Sequence, residues 1–182
     1  MAYEHGVASL ATVVGLARNW KRHDLPMLAG SIERWGYLAP ITINRTTGRL
    51  LAGHGRIDAL QQRKNAGGKA PIGIQEQAGE WYIPAYFVEV SEGEEEAAAT
   101  ALNRSQERGG QDDELLAQVL NDIKAHDATL LAIAGYTDEE FEALLQDSGI
   151  GAPNVDFKEY DEQVESEVQY CTCPNCGHRF PK

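Results

Sequence analysis

The sequence predicts a mixed α/β (α+β) protein, and three consecutive stretches carry that reading: a helix pattern at residues 24–36, a hairpin pattern at 40–52, and a glycine turn that leads into another helix. In the first, Asp24 is placed to cap a helix with Pro26 in its first turn, and Leu25, Leu28, Ile32 and Trp35 recur at helical spacing until Gly36 ends it. Pro40-Ile41-Thr42-Ile43-Asn44 then reads as a strand, Arg45-Thr46-Thr47-Gly48 as a turn, and Arg49-Leu50-Leu51-Ala52 as the returning strand.

The third stretch, Gly53-His54-Gly55-Arg56-Ile57-Asp58, has the chemistry of an anion site. N–H groups at a helix start lack intrahelical partners and carry the positive end of the helix dipole, so a phosphate settles there. Gly53 and Gly55 let the backbone approach a ligand, and His54 and Arg56 add directed donors. A Gly-x-Gly turn also serves as a plain corner, and His54 fits a hydrogen-bonded structural role as well as a phosphate ligand or a general base. Upstream, Arg18, Lys21 and Arg22 form a basic segment, suited to phosphate or DNA or simply to water.

In this order the pieces resemble the ParB N-terminal domain of the ParB/sulfiredoxin superfamily: Arg18-Asn19-Trp20-Lys21-Arg22-His23, then residues 28–40, then Gly53-His54-Gly55-Arg56. The Gly-His-Gly-Arg form is similar to the ParB-like domains of phage and mobile-element proteins. The resemblance continues through Tyr86-Phe87-Val88-Glu89-Val90 to Ala101-Leu102-Asn103-Arg104 and covers residues 8–106. It implies a small mixed sheet with packed helices and a pocket for CTP or ATP with Mg²⁺. The residues it assigns to nucleotide are Gly53, His54, Gly55, Arg56, Asn103 and the neighbouring Arg104. Leu102 stands where the family has a metal-binding glutamate and Gln106 where it has an arginine, with Glu89 and Glu94 as candidate replacements for the acid. Asn103 alternatively suits a helix C-terminus.

Behind this domain, residues 107–148 read as a helical extension. Ser91 and Glu94 have capping-box spacing ahead of an Ala- and Glu-rich helix, and Arg108-Gly109-Gly110-Gln111 breaks it. Asp112 then caps a helix whose Leu115, Leu116, Val119, Leu120 and Ile123 form the expected apolar face. Thr137 and Glu140 repeat the capping-box spacing before Phe141, Leu144 and Leu145. The acidic start of that last helix favours core packing or protein contact over base readout.

Residues 149–170 read as an acidic linker, with Asp156, Glu159, Asp161, Glu162, Glu165 and Glu167 against Lys158. The net charge of -12 opposes broad, unaided binding to duplex DNA, so DNA is expected to be reached through a local basic face or a protein partner. The sequence shows neither a signal peptide nor an apolar run near the roughly 18 residues that span a bilayer, so the expectation is a cytoplasmic protein with no membrane contact, in the host cytoplasm if phage-encoded.

All three cysteines fall in residues 171–182, as Cys171-Thr172-Cys173-Pro174-Asn175-Cys176-Gly177-His178. C-x-x-C followed by glycine forms a knuckle around Zn²⁺, and Cys171, Cys173, Cys176 and His178 are the expected ligands, within one chain or pooled between two chains of a homodimer. A redox pair and an inert terminus are the alternatives.

These expectations define a nucleotide-binding accessory protein of phage or mobile-element DNA metabolism, in which Gly55→Val or Arg56→Ala weakens binding and leaves the fold intact. The alternatives are an ATP-dependent phosphotransferase or nuclease with His54 or Asp58 as base, and a non-catalytic interaction module.

Overall fold

A computed structural model describes residues 3–16, 18–149 and 170–181, and the chain divides into two compact units, Met1–Gly151 and Ala152–Lys182. Apart from Gly149 and Tyr170, the expected acidic linker lies outside the described residues.

The helix that Asp24 was expected to cap is α1 (Leu25–Trp35): the Asp24 carboxylate accepts the Met27 N–H, and Gly36 ends the helix at φ 78°. Only Ile32 of its apolar stripe is fully buried. The hairpin forms as β2 (Ile41–Asn44) and β3 (Leu50–Ala52), and the glycine turn leads into α2 (His54–Asn65).

Three strands complete the sheet: β1 (Tyr3–Ser9), β4 (Gln75–Gln77) and β5 (Glu80–Val88). The order is β1-β5-β2-β3, with β4 pairing β5 as a hairpin. β5 runs antiparallel to β1 and β4 and parallel to β2, so the sheet is mixed. Pro84, which lacks an N–H for a ladder, falls between the β4 pairing, which reaches Tyr82, and the β2 pairing, which begins at Ala85. β1 starts ahead of residue 8, where the family resemblance begins.

Trp81, Ile83 and Ala85 alternate inward from β5 and join Ile41, Ile43, Leu50, Ile57 and Leu60 in the main core under α1 and α2. After a 3₁₀ turn (Glu92–Glu94) comes α3 (Glu95–Arg108), which packs against β3. Ser91 Oγ donates to the Glu94 carboxylate at 2.5 Å and accepts no backbone N–H of the turn, so the expected Ser91–Glu94 capping box does not form.

A buried polar cluster fixes the start of α3 to the β2–β3 hairpin. Glu95 is only 2% exposed, and it accepts from Asn44 Nδ2 at 2.8 Å, from Thr47 Oγ1 and from Arg49 Nη1 at 3.1 Å. Asn44 also closes both polar groups of Val90, donating to its carbonyl at 2.9 Å and accepting its N–H at 3.1 Å. Burial pushes the Glu95 carboxyl up, but the Thr47, Asn44 and Arg49 donors outweigh it and hold it below the usual carboxylate range.

The extension contains α4 (Asp113–His126), α5 (Thr129–Ile133) and α6 (Asp138–Asp147). Asp112 caps α4 through the Leu115 N–H, and Thr137 with Glu140 forms a complete capping box on α6. Leu120, Leu131 and Phe141 make a second core with Leu116 and Ile123 packed on it. The expected α4 face is corrected at two positions: Leu115 and Val119 are 56% and 46% exposed, while Ala117 is buried. An arc through Leu116, Ala117, Leu120 and Ile123 is rotated from the leucine-rich one, because α5 and α6 meet α4 there.

In the second unit, β6 (Tyr170–Thr172) and β7 (Arg179–Pro181) form an antiparallel hairpin. Gly177, at φ 72°, donates its N–H to the Cys173 carbonyl at 2.9 Å, and Cys173 in turn donates its N–H to the His178 carbonyl at 2.9 Å.

Candidate functional site

Gly53 precedes α2 at φ 105°, a left-handed conformation that suits glycine, and a Cβ there would lie 2.7 Å from Ile41 Cγ2. The start of α2, where N–H groups lack intrahelical partners, lines a compartment of about 140 Å³ together with Asn19, Lys21, His23 and Asn103. Asn19, His54 and Asn103 also line a larger compartment of about 400 Å³, completed by Arg18, Trp20, Leu51, Glu96 and Thr100. Sharing those residues, the two form one cleft within the first unit, in the size range of small-molecule sites.

Two segments build its walls. Residues 18–23 run outside any helix or strand, and along them Lys21 and His23 are half-buried while Arg22 is exposed. The opposite wall is one face of α3, where Glu96, Ala99, Thr100 and Asn103 recur at i, i+3, i+4 and i+7. Side chains tie the walls together. Arg18 Nε donates to Glu96 Oε1 at 2.8 Å and its Nη2 pairs with Oε2, while Lys21 Nζ donates to Asn103 Oδ1 at 3.4 Å and lies 3.7 Å from Glu107. The Arg18 guanidinium holds the Glu96 carboxyl below its usual range.

The nucleotide residues named from the resemblance are divided by the structure. Gly53, His54, Gly55, Arg56 and Asn103 line the cleft. Arg104 is absent from its lining and pairs with Glu107 on its own helix at 3.1 Å. Asp58 lies with His54, Val13 and Gln61 around a separate depression of about 130 Å³. Of the carboxylates considered, neither Glu89 nor Glu94 lines the cleft, and Glu96 does.

Gly55 and His54 have structural tasks of their own. A Cβ on Gly55 would meet His23 Cγ at 2.6 Å and Leu28 Cδ1 at 2.8 Å, so its small size admits these side chains, and Gly55→Val is expected to disturb packing rather than leave the fold intact. His54 Nε2 accepts the Leu16 N–H at 3.2 Å, which places the ring proton on Nδ1 and occupies the nitrogen that a base would use. Burial, and then the neighbouring His23, lower the His54 pKa, with Asp58 opposing them. The Arg56 guanidinium donates to the Ala39 carbonyl, which fixes it beside the turn.

Trp20 belongs to the Arg18–His23 segment of the resemblance but has no role assigned from it, and Glu96 and Thr100 are not marked as site residues by the sequence. The i, i+4 spacing of Glu96 and Thr100 was visible, but which face of α3 meets the 18–23 segment depends on the sheet register.

In the second unit, the backbone N–H groups of Asn175 and Cys176 point at the Cys173 sulfur and lower its thiol pKa. Among the described residues, no three His, Cys, Asp or Glu side chains converge closely enough to hold a metal ion, so the four expected ligands are not gathered into one site. No described helix is long and apolar enough to cross a membrane.

No family model matches the chain, and no curated protein matches it. Among solved structures it is similar to the C-terminally truncated chromosome-partitioning protein ParB from Caulobacter crescentus, complexed with CTP-γ-S, at 19% identity and TM-score 0.46, covering 78% of this chain and 71% of that one. A second similarity is to a pNOB8-like ParB N-domain, at 17% identity and TM-score 0.39, over 82% of this chain and 62% of that one. Another structure of a pNOB8-like ParB N-domain is similar at 17% identity and TM-score 0.35, over 99% of this chain and 54% of that one.

Proposed function

We propose that this chain is a ParB-like nucleotide-binding accessory protein of phage or mobile-element DNA metabolism, whose cleft takes CTP or ATP with Mg²⁺ and whose occupancy controls association with DNA or a protein partner. The observation that carries the reading is the cleft's division of labour. Its narrow end joins a glycine-started helix N-terminus to Lys21, Arg56 and Asn103, which suits phosphates. Its wide end has Trp20, Leu51 and Ala99 beside amide and hydroxyl groups, which suits a base and sugar, and the Arg18 guanidinium among them is a further partner for a phosphate. The cleft residues position and neutralise the phosphates; Mg²⁺, when bound with them, supplies further charge neutralisation.

Occupancy acts as a switch only if the ligand binds one arrangement of the two walls more tightly than another. Residues 18–23 and α3 are suited to that, because side-chain contacts between them span the cleft. Calorimetric titration with CTP and ATP in Mg²⁺, each with and without DNA, tests the reading, and absence of binding under every condition refutes it.

The tail is proposed to bind Zn²⁺. The backbone donors on Cys173 suit a thiolate, and Cys171 lies on β6 with Cys173 just past its end, in the turn closed by the Cys173, Gly177 and His178 backbone hydrogen bonds. Cys176 and His178 complete the proposed set, within one chain or shared in a homodimer. Zinc content of the purified full chain, compared with Cys173→Ser, tests this; equal content in both refutes it.

A further inference from the structure

Both cations of the 18–23 segment that line the cleft are held by carboxylates of α3. Arg18 makes a two-point contact with Glu96, and Lys21 lies between Asn103 Oδ1 and the Glu107 carboxylate. The carboxylates come from one helix face, separated by 11 positions or three turns, so both lie along the wall that faces the segment. A two-point guanidinium–carboxylate contact has the geometry a guanidinium also uses for phosphate. Both pairs are partly exposed: the side chains are 80% and 48% exposed in the first and 32% and 37% in the second, so each is weak enough to be exchanged.

We infer that Glu96 and Glu107 hold Arg18 and Lys21 in the positions where they meet a ligand's phosphates, and that a polyphosphate ligand binds by replacing these carboxylates. This rests on the proposed nucleotide reading of the cleft. The exchange has two consequences. The ligand competes with an internal anion, so affinity is lower than the cations alone would give. Binding also breaks the two ion pairs that fasten the 18–23 segment to α3, so occupancy is read directly as release of one wall from the other. Glu107 returns to Arg104, already 3.1 Å away, and Glu96 turns to water.

The test uses the full chain, with inorganic tripolyphosphate and ATP as probes in Mg²⁺, and compares wild type with Glu96→Gln and Glu96→Gln/Glu107→Gln by calorimetry. Both carboxylates are exposed enough for glutamine to be accommodated, and the melting curve checks the fold. Tightening of both probes by about three- to tenfold in the double variant is expected, since exposed ion pairs of this kind are individually weak and two of them are removed. Hydrogen exchange at the Leu16 and Lys21 amides in ligand-free protein should accelerate in the same variant. Wild-type binding with equal or weaker affinity in the variants overturns the exchange and leaves the cleft reading standing. Failure of both probes to bind to any of the folded proteins overturns the exchange, and failure of CTP as well, with and without DNA, overturns the cleft reading too.

Discussion

His54 Nε2 accepts the Leu16 backbone N–H across 38 positions of sequence, and this bond fastens the start of the cleft-lining segment to the first turn of α2. His54, expected as a ligand, a base or a structural histidine, thus makes a structural tie while lining the cleft. His54→Ala is expected to lower stability by about 1–2 kcal/mol, through a lost acceptor and an unpaired amide. Thermal or urea unfolding checks it, and His54→Asn, which keeps an acceptor, should recover part of the loss.

Gly55 is expected to resist even alanine. The added Cβ meets His23 at 2.6 Å and Leu28 at 2.8 Å, so Gly55→Ala should cost about 1–3 kcal/mol through overpacking. Chemical unfolding measures this, and His23→Ala, which removes one obstacle, should reduce the penalty of Gly55→Ala when the two are combined.

How far the sequence could be read divides along physical lines. Local signals held: the Asp24 cap, the Thr137–Glu140 box, the hairpin and the glycine turn each depend on residues a few positions apart. The sheet was legible only where hairpin and apolar alternation coincided. β1 has a central Gly6 and mostly exposed positions, and β5 contains Pro84, so neither has an uninterrupted strand pattern, and pairing with their sheet neighbours makes them strands. In the site, the backbone turn was visible but the opposing wall was not, because Glu96 reaches Arg18 across 78 positions. On α4, Leu115 and Val119 outscored Ala117 on hydrophobicity, yet Ala117 is the residue whose size fits the contact.

Asn44 is expected to be among the costliest positions to change. It is fully buried and serves the Val90 N–H, the Val90 carbonyl and the Glu95 carboxylate together. Asn44→Ala should destabilise by about 3 kcal/mol, since it leaves several buried polar groups without their partner. Urea titration gives the value, and a change below about 0.5 kcal/mol, the range of ordinary surface substitutions, would contradict this role.

Glu80 sets an acid limit. Its carboxylate accepts from Ser9 Oγ at 2.7 Å, the Ala11 N–H at 2.9 Å and Lys64 Nζ at 2.8 Å, which lower its pKa from 4.5 to about 2. Lys64 is the largest cause. A depressed carboxyl contributes stability above its ordinary pKa and loses it as pH falls through the folded value, so melting temperature should drop between pH 4.5 and about 2. Glu80→Gln is expected to be less stable at neutral pH and to show a shallower fall across that window.

Lys21, reaching Asn103 beside the glycine turn, is proposed to serve a site for nucleotide phosphates. Isothermal calorimetry of ATP and CTP with Mg²⁺ on wild type and Lys21→Ala tests it most directly. Saturable binding of at least one nucleotide by wild type is expected, with about a tenfold or greater loss in the variant, the scale of a charge-assisted contact of about 1.4 kcal/mol or more. Equal affinity in the two proteins, or no binding by a folded wild type, would contradict it.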